Sequence, residues 1–429
     1  MNKNKYIVIG GLLLSMAVCG CGGGNKPIDP INFPAGLNFK VTYCKQVVGE
    51  GAKTDTITDY LVGGTDEGFP CYDETRDRYY MFFGDTFRYG SQTGHWRSNV
   101  MAWSDDKKLS DGLDIRGFHT DPKKGKMAAP VIDGLHHNRF EETKIPTGSI
   151  CIDGTIYMYY FSKVSWDKEV PPAQSMNYGG CVKSVDAGQT FERIPDLTWT
   201  DHCVDDPNKP YQQSVENIEA LIDLDVKGGI GNYGLDVKEH EGYRFTQNYP
   251  LDGKDGYIYI FGQGGFRTSY VSLARVKKEN IEIFNEYEYL IDYKNGEPVW
   301  EKGRKGLDIL HDYDFYGEEK GFVYKYRGWE MSVSYNAYLG KWCFFMPASR
   351  EGFGIYMGIA DKPYGPYSVD NYKIIADLDP IFLEKNIYAP MTLEQWQEKG
   401  GKIFYMFVSC WKPVYTPHLL KVEIIPVEE

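Results

Sequence analysis

The 429-residue chain carries 60 acidic against 47 basic side chains, a net charge of −13. Nucleic acid and anionic membrane surfaces both demand a basic face, so neither is expected as a partner. Aromatic residues make up 15% of the chain, with 34 Tyr and 9 Trp, and their flat faces with polar tips suit sugar stacking and β-sheet cores alike.

The chain opens with Lys3 and Lys5, followed by an apolar run from Tyr6 to Val18. That run is too short to span a bilayer and has the length of a signal-peptide core. It ends in Val18-Cys19-Gly20-Cys21, the small-residue-then-cysteine pattern of a bacterial lipoprotein signal. Gly20 is small and Val18 lies three positions upstream, which makes Cys21 the lipidated residue; an ordinary cleaved signal peptide is the alternative. Residues 1–21 are therefore expected to be a signal peptide and 22–40 a flexible tether, since Gly22–Pro34 is rich in Gly, Pro and Asn. Residues 41–429 then form the folded domain of an exported lipoprotein, held by lipid at a bacterial outer membrane on its periplasmic face or at the cell surface. The remaining cysteines, Cys44, Cys71, Cys151, Cys181, Cys203, Cys343 and Cys410, are scattered without zinc spacing. They read as small core residues, with at least one free thiol and room for one disulfide. No metal and no cofactor is expected.

Along the rest of the chain one block recurs: an aromatic and β-branched run after a tight turn. Its copies are Arg78–Gly84, Thr155–Tyr160, Tyr257–Gly262, Lys341–Met346 and Lys402–Val408. Both faces of each run are apolar, so these strands should be buried on both sides. Preceding strands are expected within Tyr60–Phe69, Ile145–Ile152, Phe245–Leu251, Glu330–Tyr335 and Ile387–Thr392, joined through turns such as Asp153-Gly154, Asp255-Gly256 and Leu339-Gly340. Further strands follow at Asn99–Ser104, Gly180–Ser184, Tyr270–Val276 and Ile355–Ala360, and Leu419–Ile425 ends the series. Five small antiparallel sheets with almost no helical periodicity between them predict an all-β, five-bladed β-propeller; a two-sheet sandwich with accessory domains is the alternative. Ser184-Val185-Asp186-Ala187-Gly188-Gln189-Thr190-Phe191 fits an Asp box, a rim turn in which the Asp caps backbone N–H groups.

In a propeller the first strand of each blade lines a central channel, and a funnel at one end is the usual ligand site. Counting outward from a turn centred near Thr75 places Asp66 opposite Asp85. Two carboxyl groups at short range push one pKa up and provide the acid and the ionised partner that glycosidic cleavage needs. Turn capping is the structural alternative. Glu330, entering the channel on the fourth blade, is a third candidate. Asp66 is expected as base or nucleophile and Asp85 or Glu330 as acid. Candidate hydroxyl-binding residues are Trp96, Arg97 and Asn99 on blade 1, Arg244, Gln247, Asn248, Gln263 and Arg267 on blade 3, and Tyr388 on blade 5. No serine-hydrolase elbow, phosphate loop or zinc-protease motif occurs, and His136-His137 is a lone pair in a loop.

Gly64-Thr65-Asp66-Glu67-Gly68 followed by Met81-Phe82-Phe83-Gly84-Asp85-Thr86 resembles the opening of the domain of unknown function 4185. Trp96–Asn99, Ile145–Gly148, Tyr257–Gly262, Ser272–Val276, Glu330–Asn336 and Ala360–Tyr367 follow in the same order, so the likeness spans roughly residues 55–425. The resemblance implies a five-bladed propeller, some of whose relatives are endo-acting D-arabinanases, with the acidic pair at Asp66 and Asp85. The expectation is thus a monomeric, endo-acting glycoside hydrolase cleaving a furanoside-containing polysaccharide, with D-arabinan as a candidate. A non-catalytic glycan-binding lipoprotein and a propeller scaffold for protein partners are the alternatives.

Overall fold

The five apolar runs form the second strand of five separate antiparallel sheets. The computed structural model describes residues 37–201, 210–226, 235–312, 320–324, 329–348, 354–368, 372–376 and 387–426. The expected signal peptide, Cys21 and the tether up to residue 36 lie outside these residues, as does Cys203. The other six cysteines are free thiols.

Blade 1 contains strands Glu67–Asp73, Arg78–Phe83, Val100–Ser104 and Gly117–Phe118, and blade 2 contains Thr143–Ile152, Thr155–Lys163, Met176–Ser184 and Glu192–Thr200. Blade 3 is built on Gln247–Asp252, Tyr257–Gln263 and Val271–Lys277, and blade 4 on Ser332–Asn336, Lys341–Ala348, Gly354–Ala360 and Tyr372–Ala376. Blade 5 combines Ile387–Met391, Ile403–Cys410 and Thr416–Pro426 with a strand from the other end of the chain, Leu37–Gln46. The first strands of the five blades touch in cyclic order and the last touches the first, which closes a five-bladed β-propeller. Closure is made by hydrogen bonds: Leu37–Gln46 runs antiparallel to the C-terminal strand, from Leu37 opposite Pro426 to Gln46 opposite His418. This strand begins inside the stretch expected as tether.

The second strands are apolar on both faces because each is sandwiched between neighbouring blades. Tyr80, Met81, Phe82 and Phe83, and likewise Ile258, Tyr259, Ile260 and Phe261, are wholly buried. Each such side chain contributes roughly 1.5–3 kcal/mol by leaving water. One buried cluster draws on all five blades, including Phe69, Tyr160, Tyr249, Val333 and Phe407. The Asp box forms on blade 2: Asp186 accepts from the Thr190 N–H at 2.9 Å and the Thr190 hydroxyl at 2.6 Å, Gly188 sits at φ +82°, and Phe191 packs edge-on to Phe82 of blade 1. Two ten-residue helices, Val215–Leu224 and Gly303–Asp312, interrupt the all-strand pattern. The first is capped by the Ser214 hydroxyl accepting from the Asn217 N–H.

The first hairpin departs from the symmetric register expected of it. Its inner strand is Glu67–Asp73, with Cys71 opposite Tyr80 and Phe69 opposite Phe82, but Glu67 opposite Phe83. A bulge at Gly68 (φ +92°) absorbs one residue, and Glu67 itself takes a left-handed φ of +62°. Asp66 therefore bonds across to Gly84 (Gly84 N–H to Asp66 O, 3.2 Å) rather than lying opposite Asp85.

Candidate active site

Asp66 enters at the open end of the blade 1 hairpin and is held from blade 5. The Tyr388 hydroxyl donates to its Oδ2 at 2.7 Å, while its Oδ1 is buried without a partner. Burial pushes its pKa up to about 7; hydrogen bonds from Tyr388 and Tyr415 oppose this, and the charges of Asp85 and Glu330 add to it. The two carboxylates are thus close enough to feel each other although they are not register partners.

Asp85 follows the second strand and is held from blade 2. Its Oδ1 accepts from the Trp96 indole N–H at 2.7 Å and the Thr143 hydroxyl at 2.6 Å. It is only 7% exposed, and burial raises its pKa to about 6 against the lowering effects of Thr143, Trp96, His136 and the Trp166 side chain. His136 packs against Trp96 with the rings tilted by 59° and their centroids 4.2 Å apart, and it is paired with Asp133.

Glu330 is fixed by Arg267, whose Nε and a terminal nitrogen both donate to Oε1, at 2.9 and 2.6 Å. Glu330 Oε2 is buried without a partner. The Arg267 guanidinium also lies 4.4 Å from the Phe266 ring, 4.2 Å from Trp329 and 5.5 Å from Tyr388. Its backbone is left-handed at φ +60°, as is that of Ala389 beside Tyr388 at φ +48°. Strain of about 1–3 kcal/mol at each such residue persists only where the surroundings dictate it, and functional sites are where it collects.

Of the other expected residues, Gln247 joins the cluster by pairing with Gln263 and accepting from the Arg267 N–H at 3.5 Å. Trp96, Arg267 and Tyr388 touch the carboxyl groups directly. Asn248 binds Thr147 and the Phe245 carbonyl. Arg97 donates to the carbonyls of Tyr60, Leu61 and Ala128, and Asn99 staples the 131–132 backbone to blade 1 through both ends of its amide. Arg244 packs on Phe322 and donates to the Lys320 carbonyl. The structure brings Asp66, Asp85, Glu330, Trp96, Gln247, Arg267 and Tyr388 together, and turns Arg97 and Asn99 to backbone groups of neighbouring loops, while Arg244 donates to the Lys320 carbonyl and the Tyr243 hydroxyl.

Four contributors were not anticipated. Glu67 is 2% exposed, with its carboxyl held well above the usual range by burial first, then by Asp66 and Glu330. Lys163, also 2% exposed, sits 3.9 Å from the Phe266 ring and 4.5 Å from Trp166; burial, then the nearby Arg267 charge, hold its pKa down at about 7. Thr143 holds Asp85, and Trp166, 42% exposed, packs edge-on against Phe266. A repeat-level signal exists for one of these. Phe83-Gly84-Asp85, Phe161-Ser162-Lys163 and Phe261-Gly262-Gln263 share a Phe-small-polar ending to the second strand. Blade 5 ends similarly at Phe407-Val408-Ser409, whose Ser409 hydroxyl accepts the Glu67 N–H at 2.7 Å.

Gly84 is required by this packing. A methyl group there would lie 2.4 Å from Asp66 Oδ1 and 3.1 Å from Glu67 Oε2, below contact distance for the first. Gly84→Ala is expected to displace Asp66 and remove activity while circular dichroism keeps its β-sheet form. Unchanged turnover in that variant would show that Asp66 has room to move without consequence.

No curated protein matches the chain in sequence. Among solved structures, a candidate hydrolase from Bacteroides ovatus aligns with a TM-score of 0.50 and 11% identity, over 85% of this chain and 86% of that one. The catalytic domain of the Coprinopsis cinerea GH62 α-L-arabinofuranosidase aligns at 0.44 and 10%, over 90% and 97%. Zg3597, a family 117 glycoside hydrolase of Zobellia galactanivorans, aligns at 0.42 and 10%, over 90% of each chain. At 11% identity, the first of these speaks for the fold alone. The sequence profile of one family matches residues 51–421, nearly the whole folded region, and with it the chain belongs to the domain of unknown function 4185 (DUF4185) family.

Proposed function

We propose that the protein is an endo-acting glycoside hydrolase whose working carboxyl groups are Asp66 and Asp85, acting on a furanoside-containing polysaccharide. The observation that carries this reading is the convergence of two carboxyls, both raised towards neutrality chiefly by burial, among exposed and half-buried aromatic side chains. Glycosidic cleavage needs one protonated carboxyl and one ionised carboxylate on the same bond. Here Asp66 holds its proton to about pH 7, and Asp85, with Trp96 and Thr143 both donating to one oxygen, ionises above about 6. In this reading Asp66 protonates the leaving oxygen and Asp85 is the nucleophile or activates water, the reverse of the order expected from sequence. Glu330, locked to Arg267 through Oε1, serves as an anchor for the substrate rather than in the proton transfer. The aromatic faces of Trp96, Trp166 and Trp329 supply sugar-stacking surfaces. The resemblance of the motifs to endo-D-arabinanases supports D-arabinan as the first substrate to try.

The active protonation state exists between the two pKa values. Activity should fall below pH 6 as Asp85 takes up a proton and above pH 7 as Asp66 loses one. The kcat/KM profile is therefore expected to be a narrow bell near pH 6.5, its limbs reporting the pair rather than either residue alone. A profile flat from pH 5 to 8 would count against the pair. The direct test is release of reducing ends from a panel of arabinose-containing and other polysaccharides. Binding to members of the panel without cleavage of any would instead make the protein a glycan-binding propeller.

A further inference from the structure

Asp66 and Glu67 are neighbours in sequence, and in an extended strand their side chains would point to opposite faces. They do not, because Glu67 and Gly68 both take left-handed φ. Asp66 Oδ1 and Glu67 Oε2 lie 2.4 and 3.1 Å from the same point above Gly84, so their separation is at most the sum, about 5.5 Å. Glu67 is influenced, after burial and Asp66, by Glu330 and then by Arg267 and Asp85, which places Glu330 in the same cluster. Three carboxyl oxygens in this cluster are buried and accept no hydrogen bond among the described residues: Asp66 Oδ1, Glu67 Oε2 and Glu330 Oε2. Among the described residues the one cation bonded to the cluster is Arg267, whose side-chain bonds both go to the other Glu330 oxygen.

Unfilled acceptors at this depth are costly unless a donor arrives. Sugar hydroxyls are neutral donors of the right kind, whereas anionic or alkylated positions offer none. Ordered water is the competing occupant. We propose that Glu67 Oε2 and Glu330 Oε2 are the acceptors for two hydroxyl groups of the sugar bound beside Asp66, so that the substrate carries there a neutral, unsubstituted sugar unit with neighbouring free hydroxyls. Glu67 is then a specificity-determining residue. This assignment rests on the glycosidase reading for its substrate but not for its test.

The test measures binding, by calorimetry or ligand-observed NMR, of methyl glycosides of D-arabinofuranose, L-arabinofuranose, D-xylose and D-galactose. The tightest binder is compared with its 2-deoxy and 3-deoxy analogues and its 2-O-methyl ether. Against the full wild-type chain, at least one deoxy analogue and the ether should bind about 10–100-fold more weakly, the range for leaving a buried acceptor without its donor. Glu67→Gln, which replaces an acceptor by a donor of equal size, should weaken the parent sugar by a similar factor. The analogue lacking the relevant hydroxyl should lose little more in that variant, since the two changes remove one interaction. Equal binding of parent and analogues to the wild type, or failure of all four sugars to bind, overturns the assignment. The wild-type comparison stands even where Glu67→Gln does not fold. If reducing ends are released from polysaccharide but deoxygenation costs nothing, the hydroxyl site fails while the hydrolase reading stands. If deoxygenation is penalised yet no polysaccharide is cut, the site stands and the hydrolase reading fails.

Discussion

Asp85→Asn is expected to lower kcat on the best polysaccharide by about 10²–10⁴-fold, the usual contribution of a positioned acid or base, with little change in melting temperature. The reason for the small stability effect is geometric. Oδ1 of an Asn side chain still accepts from Trp96 and Thr143, which hold Asp85 at 2.7 and 2.6 Å. What disappears is the negative charge, and with it the nucleophile or base. Reducing-end assays at saturating substrate, beside a thermal melt of the same preparation, separate the two effects. A variant that keeps wild-type kcat removes Asp85 from the chemistry. One that melts many degrees lower would show its role to be tying blade 1 to blade 2.

The largest stability effect is expected away from the candidate active site. Lys144 is buried between Glu141 at 2.6 Å and Asp225 at 3.0 Å, and Arg193 approaches Asp225 at 3.9 Å. The hydroxyls of Tyr160 and Tyr178 also donate to Asp225, at 2.8 and 2.6 Å. All four charged side chains are essentially inaccessible to water. Asp225→Ala leaves Lys144 and Arg193 short of a counter-charge and two buried hydroxyls without an acceptor. A loss of about 3–5 kcal/mol in unfolding free energy is expected, as for other broken buried ion pairs, measured by denaturant titration. A loss below about 1 kcal/mol would mean that water reaches the network. The cluster also links to the candidate active site, because Lys144 donates to the Asp133 carbonyl and the Asp133 carboxylate holds His136 and the Ser98 N–H. Partial loss of activity should therefore accompany the loss of stability.

Both experiments depend on side chains that differ in how far the sequence revealed them. Asp85 was visible through the hairpin count that set it opposite Asp66; the bulge at Gly68 shifts that register by one residue, yet both carboxyls reach the same site. Asp225 carried no such mark. It caps a short helix inside an insertion, and its partners come from positions 141, 144, 160, 178 and 193. Glu67 stood in plain view beside Asp66, but in a regular strand its side chain would take the opposite face. Only the bulge at Gly68 and two left-handed residues bring it round. Arg97 and Asn99 looked like sugar-binding groups because polar residues before a strand often are, but the loop at 128–132 lies against blade 1 and its backbone takes their hydrogen bonds.

The sequence by itself determined the number and order of the blades, since a strand buried on both faces must be apolar throughout and five such runs occur. It also determined the Asp box and the turn chemistry, which are local and depend on residues a few positions apart. The tertiary structure alone decided the closure of blade 5 by the N-terminal strand, the one-residue slip in the first hairpin and the meeting of Asp66, Glu67, Asp85, Glu330, Lys163 and Arg267. Those outcomes depend on contacts between residues up to several hundred positions apart, where neither periodicity nor spacing carries information, and on a bulge whose effect is to reverse which face a side chain takes.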